Sequence, residues 1–241
     1  MDFSIRRVNA LVKKEMKDFV KNINVSIMYL IPIALSIFYS RVSNISNEAM
    51  VKRTLLIVCV GMNISFISSM VVSMMIAEEK EKNTLRTLML SSVSPWEFLT
   101  GKAIIIIFIS EIVNIAMLFI LGFDAKYLVK YVLITSLLLL SMIEIGAIVG
   151  VFCKNQMATG IFSMPVILIF YVIPMAAKMN KITEKVANLL PNYHMNIMLS
   201  SLFKGESVFS KSRYGLVVML GWIIIAAFAF GWIYKKRGLD K

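Results

Sequence analysis

Apolar and polar positions alternate along this chain on two scales. Over residues 5–20 the scale is that of a helix: Ile5, Val8, Val12, Met16 and Phe19 recur at steps of three and four, with Arg6, Arg7, Lys13, Lys14 and Lys17 elsewhere on the wheel. This pattern predicts a basic amphipathic helix lying along a membrane surface, within an N-terminal unit of residues 1–22. From residue 23 to 241 the scale is coarser. Six apolar runs approach the roughly 20 residues that a helix needs to cross hydrocarbon: about Ile23 to Ser40, Thr54 to Ala77, Ala103 to Leu121, Leu128 to Cys153, Thr159 to Ala177, and Tyr214 to Tyr234. They predict an all-α integral membrane protein of six transmembrane helices, with a polar loop at 78–102 and a longer one at 178–213.

Composition agrees with that reading. The 241 residues are 59% hydrophobic with 18 Met, and the mean hydropathy is +0.79, far outside the soluble range. A net charge of +12 raises the question of nucleic acid, but the basic residues sit in loops and termini beside apolar runs. Lipid headgroups and membrane topology account for them, and no nucleic-acid partner is expected. An even number of spans puts both chain ends on one side. That side then holds 15 basic residues against 11 on the other, which favours cytoplasmic termini. Cys59 and Cys153 lie in or at the ends of apolar runs, so neither a disulfide framework nor a metal site is indicated. Residues 1–22 are polar, and no cleavable signal peptide is visible.

The loop from Glu78 to Lys102 opens on Glu78, Glu79, Lys80, Glu81 and Lys82 and closes on Gly101 and Lys102. Within it, Leu85, Leu88 and Met89 fall at helical spacing while Glu81, Lys82 and Arg86 take other directions, so a short amphipathic helix is predicted at the membrane surface. Ser94-Pro95 reads as a break, because the residue before proline is pushed out of the helical region. Trp96 and Phe98 suit a chain re-entering through the interfacial layer. This order of residues, an acidic cluster, Thr84-Leu85, Leu88-Met89-Leu90, Val93 to Phe98, then Gly101-Lys102, resembles the cytoplasmic loop of the ABC type 2 exporter permeases. Asn83, Arg86 and Ser92 stand where that family generally has Gly, commonly an acidic residue, and frequently Pro.

The resemblance implies a coupling helix docked on a separate ATP-binding subunit through Glu78, Glu79, Thr84, Leu85, Arg86 and Leu88. It also implies two ATPase copies that bind ATP and Mg, a second permease subunit, identical or related, and a bacterial plasma membrane location with both termini cytoplasmic. The chain itself lacks a Gly-x-x-x-x-Gly-Lys-[Ser/Thr] phosphate loop, a Gly-x-Ser-x-Gly and a His-Glu-x-x-His, so it is read as a transport subunit rather than an enzyme and as binding no cofactor of its own. A lumen lined by Met and Phe with few charges favours an amphiphilic cargo such as a drug, an antimicrobial peptide or a lipid. The rival reading is a passive or sensory membrane protein, a channel or toxin-immunity factor, that works without an ATPase.

Other polar residues invite specific expectations. Glu111 and Glu144 lie within apolar runs, at similar depth if the spans end at Ala103 and Cys153, so they are expected to face each other or share partners such as Asn114. Either an internal polar contact or contact with substrate or an ion follows from that placement. Gly146 and Gly150 form a small-xxx-small pair suited to close helix packing. The run from Leu189 to Phe203, with Pro191, Tyr193 and His194, is too short to span and too apolar for a free loop. It predicts a short external re-entrant or interfacial helix, with His194, the only histidine, as polar surface.

Overall fold

The computed structural model describes residues 3–46, 49–91, 93–208 and 212–237. Among them every regular element is helical, and six helices are long and apolar enough to cross a membrane. Spans 1 to 6 are Ile23–Arg41, Ala49–Glu81, Pro95–Ile120, Ala125–Phe152, Ala158–Met175 and Arg213–Lys236. They coincide with the apolar runs except at their ends, because a helix does not stop where apolarity stops. Span 2 runs on through the charged cluster to Glu81, and span 3 begins at Pro95. The start of span 3 is set locally: the Glu97 N–H donates to Ser94 Oγ (3.2 Å), and the Ser94 N–H donates to Glu97 Oε2 (2.8 Å). This is a capping box with proline at the first helical position.

A leading helix, Ile5–Lys21, lies against the first turns of span 3. Gly101 allows the approach, since a Cβ there would sit 2.8 Å from Leu11 Cβ. Between spans 2 and 3 the chain turns at Asn83, which has φ 56°, a left-handed value that asparagine tolerates better than most residues. It then forms a short elbow helix, Thr84–Leu90. Ser92 and the side chain of Met89 lie outside the described residues. The last turns of span 6 return to the same place: the Tyr234 and Phe98 rings are 5.3 Å apart, and Trp96 packs on Gly231. Both ends of the described chain therefore share one end of the bundle with the elbow, here termed the terminal end.

Spans 2 and 4 make the closest contact in the core. A Cβ on Gly146 would meet Ser69 O and come 2.6 Å from Val72 Cγ1, and one on Gly150 would be 2.8 Å from Ser73 O. The Ser73 hydroxyl also donates to Gly146 O (2.6 Å), so the small-xxx-small pair holds two helices of the same chain together. Two stretches widen into π-helix, Met62–Ser68 in span 2 and Leu168–Val172 in span 5, and they meet where Tyr171 covers Gly61. At the far end, a helix over Pro191–Phe203 is tucked among spans 2, 4 and 6 and buries Met195, Met198, Leu199 and Leu202.

Candidate functional site

The elbow helix is built with one face in and one face out. Leu85 is 1% exposed and Leu88 packs half-buried on the core, whereas Arg86, Thr87 and Leu90 are exposed, Leu90 to 73%. The charged residues before it are held by the protein. Glu78 accepts from Asn22 Nδ2 (2.7 Å) and pairs with Lys82. Glu79 is buried and pairs with Lys14 and with Lys102 (3.1 Å), while the Thr84 hydroxyl donates to Glu79 O (3.1 Å). Of the six residues expected on a docking surface, the structure thus turns Arg86 fully outward and turns Glu79 and Leu85 inward. Glu79 faces in because two lysines meet it there, and Leu85 because it lies on the apolar side of the elbow.

Those two lysines belong to a four-charge cluster. Lys102 is 1% and Glu15 2% exposed; Lys102 Nζ lies 2.9 Å from Glu15 Oε2, and Lys14 Nζ lies 3.2 Å from Glu15 Oε1. Charges this deeply buried are tolerated only when paired, and here two cations balance two anions. Burial pushes the Glu15 carboxyl up, but Lys102 and Lys14 outweigh it and hold Glu15 below its ordinary value. Burial likewise pushes Lys14 down, and Glu15 and Glu79 more than reverse this. A cleft of about 290 Å³ opens beside the cluster, between the leading helix and the end of span 2.

Glu97 is a second anchor. With no exposure, its Oε1 accepts from the Ser4 N–H (2.6 Å) and from Arg7 Nε (2.9 Å). The leading helix is therefore tied at its start by Glu97, at its middle by Glu79 and Lys102, and just past its end by the Asn22–Glu78 bond. All three ties reach the helices that flank the elbow. Glu15, Glu97 and Lys102 were not foreseen as site residues, yet each leaves a sequence signal. Glu15 continues the Val8, Leu11 stripe at an apolar register, Ser94-x-x-Glu97 is a capping-box pattern, and Lys102 follows the glycine that admits Leu11.

The polar residues within the spans do not pair as their sequence depth suggested. Glu111 accepts from Thr135 Oγ1 (2.9 Å), Ser136 Oγ (3.0 Å) and Asn114 Nδ2 (3.4 Å). Glu144 stands eight or nine residues further along span 4, about 12 Å of rise, and its Oε2 is buried with no hydrogen-bond partner among the described residues. The two acids do not meet, because span 3 begins at Pro95 rather than Ala103 and Glu111 is correspondingly farther from the terminal end. Asn114 extends the network: it accepts from Asn63 Nδ2 (2.9 Å), which also donates to Ser110 O (3.2 Å), and Ser110 Oγ meets Ser68 Oγ (2.8 Å) and Tyr29 Oη (3.2 Å). Spans 1 to 4 thus share one buried polar seam, centred on the π-helical stretch of span 2.

In the tucked helix, Pro191 supplies the first turn and Tyr193 is half-buried. His194 is buried, not surface: its Nε2 bonds Asn188 O (2.8 Å) and its ring contacts Tyr193, Tyr214 and Gly215. The apolar register of Met195, Met198 and Leu202 carries it inward. Asn192 donates to Ser65 of span 2, and Trp222 Nε1 donates to Leu189 O (2.7 Å). Among the described residues no group of three or more His, Cys, Asp or Glu is placed to hold a metal ion.

The family model described as ABC-2 family transporter protein matches residues 5–234, from the first residue of the leading helix to the tyrosine that packs on Phe98. No curated protein matches the chain.

Proposed function

This chain belongs to the ABC-2 family of transporter proteins, and we propose that it is the permease subunit of an exporter that moves an amphiphilic substrate out of a bacterial cytoplasm. The ATP and Mg are bound by a separate ATPase subunit, present in two copies, and a second permease, identical or related, completes the pathway. The terminal end faces the cytoplasm. The observation that carries the reading is the elbow helix: a surface helix whose outward face, Arg86, Thr87 and Leu90, is offered at the end of the bundle, while its inward face is seated on span 2 and its two ends run on into spans 2 and 3. ATP binding shifts the population of permease states only if the ATPase contacts the elbow differently in its two states, so the seating has to be firm enough to pass that difference on.

The test is purification of the subunit from its host in mild detergent, with mass spectrometry of what accompanies it, for the native chain and for Leu90→Glu. Leu90 is chosen because it is exposed, so the charge leaves the bundle packed. A stoichiometric chain bearing its own phosphate loop, present with the native protein and lost with the variant, supports the reading. A permease recovered alone or only with copies of itself, in both forms, moves the reading to a passive or sensory membrane protein.

A further inference from the structure

The circumference of the leading helix divides into four sectors of different chemistry. Val8, Leu11 and Glu15 are buried against the protein. Next to them lie Arg7, paired with Glu97, and Lys14, paired with Glu79 and Asp18. Turning the other way, Val12, Ile5, Met16 and Val20 follow one another within ~80° of arc at ~100° per residue. This apolar strip is left uncovered: Ile5 is 72%, Val20 70% and Met16 37% exposed. The following ~80° carries Lys13, Arg6, Lys17 and Lys21, all exposed and none in an ion pair with another described residue. One side of the helix is thus committed to the protein, and a second amphipathic surface remains beside it.

Position and charge identify what covers that surface. The helix runs directly into span 1, whose first residue Ile23 is 72% exposed, and packs on the first turns of span 3 beside the exposed Trp96. It therefore sits at the depth where spans meet headgroups. Apolar side chains with a basic strip alongside are the arrangement of an interfacial helix on an anionic leaflet. From Arg6 to Lys21 the bases extend over ~22 Å of helix, wider than one headgroup, so a lipid surface fits them better than a single bound anion.

We propose that the leading helix is an anionic-lipid recognition element: Val12, Ile5, Met16 and Val20 enter the acyl boundary, while Arg6, Lys13, Lys17 and Lys21 gather anionic headgroups. This rests on the membrane-spanning reading but not on an ATPase partner. The consequence is that lipid charge acts on the helix that also holds Glu79, Glu97 and Lys102, at the base of the elbow.

The test uses the full chain, without partner proteins, in lipid nanodiscs of phosphatidylcholine with and without phosphatidylglycerol, and reads amide hydrogen exchange over residues 5–21. Each base near an anionic surface is worth about fivefold in association, so exchange is expected to slow by about tenfold or more in the anionic discs. The triple change Lys13→Gln, Lys17→Gln and Lys21→Gln abolishes the difference, and high salt shrinks it. Met16→Glu, on the apolar strip, raises exchange in both lipids while the rest of the chain keeps its protection. Equal exchange in the two lipids overturns the proposal. So does equal slowing by inorganic phosphate in phosphatidylcholine discs, or slowing that appears only when an ATPase subunit is added, which would give the strip to a soluble anion or to that protein. Failure of an ATPase to co-purify leaves this test intact, and a negative result here leaves the docking reading intact.

Discussion

Removing Lys102 tests whether the buried charge cluster holds the leading helix. In Lys102→Met the cation at 2.9 Å from Glu15 and 3.1 Å from Glu79 is lost, and two carboxylates are left sharing Lys14, which is itself 33% exposed. Methionine keeps the apolar stem and its place beside the Phe98 ring, so lost packing is a small part of the effect. Breaking a buried pair by deleting one partner costs about 3–5 kcal/mol. Because the helix keeps its ties to Glu97 and Glu78, the cost appears as local opening rather than unfolding. At about 1.4 kcal/mol per tenfold, amide exchange over residues 11–19 should accelerate by about two to four orders of magnitude. Adding Glu15→Gln restores one cation to one anion and should recover most of the loss, a non-additivity that a double-mutant cycle measures. Unchanged exchange in Lys102→Met, or a double variant as damaged as the sum of the singles, would refute the cluster as the tie.

Two further outcomes follow from the same geometry. Gly146→Ala drives a methyl into Ser69 O and Val72 and should destabilise the bundle by about 1–3 kcal/mol or more, read as a lowered thermal midpoint in detergent; Gly221→Ala, which meets nothing within 4 Å, should leave it unchanged. The leading helix should also show a pH window of full protection. The folded Glu15 value is lowered, so its contribution is present above the ordinary carboxyl value of 4.5 and fades as pH falls through the lowered one. The folded Lys14 value is raised, so its contribution is complete below the ordinary 10.5 and fades as pH rises through the raised one. Protection of residues 11–19, with exchange corrected for its intrinsic pH dependence, should fall away below the first limit and above the second, and protection unchanged across both would show that Glu15 and Lys14 do not control the tie.

What could be read from the sequence was what burial and spacing encode directly. Six runs of sufficient length became six spans, and Leu85 and Leu88 at helical spacing became the seated face of the elbow. The small-xxx-small pair became the span 2 and span 4 contact because only small residues allow backbones so close. Depth was read less well. Taking the end of apolarity at Ala103 as the end of a helix placed Glu111 level with Glu144, whereas a capping box at Ser94 starts the helix two turns earlier and sets Glu111 against Thr135 and Ser136. Charge partners are hard to read from sequence for a related reason. Glu79 is expected on a docking surface, and the lysines that meet it lie 65 residues upstream and 23 residues downstream, at Lys14 and Lys102. His194 was carried inward by an apolar register in its own helix that outweighs one polar ring.

The same contacts constrain how the terminal end can move. Span 2 carries Glu79 at the charge cluster, Ser69 and Ser73 against span 4, and the π-helical stretch whose Asn63 and Ser68 join the polar seam. Its Ser65 holds Asn192 of the tucked helix at the far end. The π stretch is not left slack, since Ser68 Oγ donates to Asn63 O (2.8 Å) and Ser69 Oγ to Ser65 O (2.7 Å), which pins the widened turns. A displacement of the elbow is therefore not free to dissipate beside it. It acts on span 2 through the short turn at Asn83 and on span 3 through Ser94 and Pro95, and the leading helix spans the gap between them with ties to Glu78, Glu79 and Lys102. Because the cluster draws one lysine from span 3 and one carboxylate from span 2, separating those spans means parting buried opposite charges, a cost of several kcal/mol. Spans 2 and 3 are thus tied at their base to each other and to the leading helix by the same four charges.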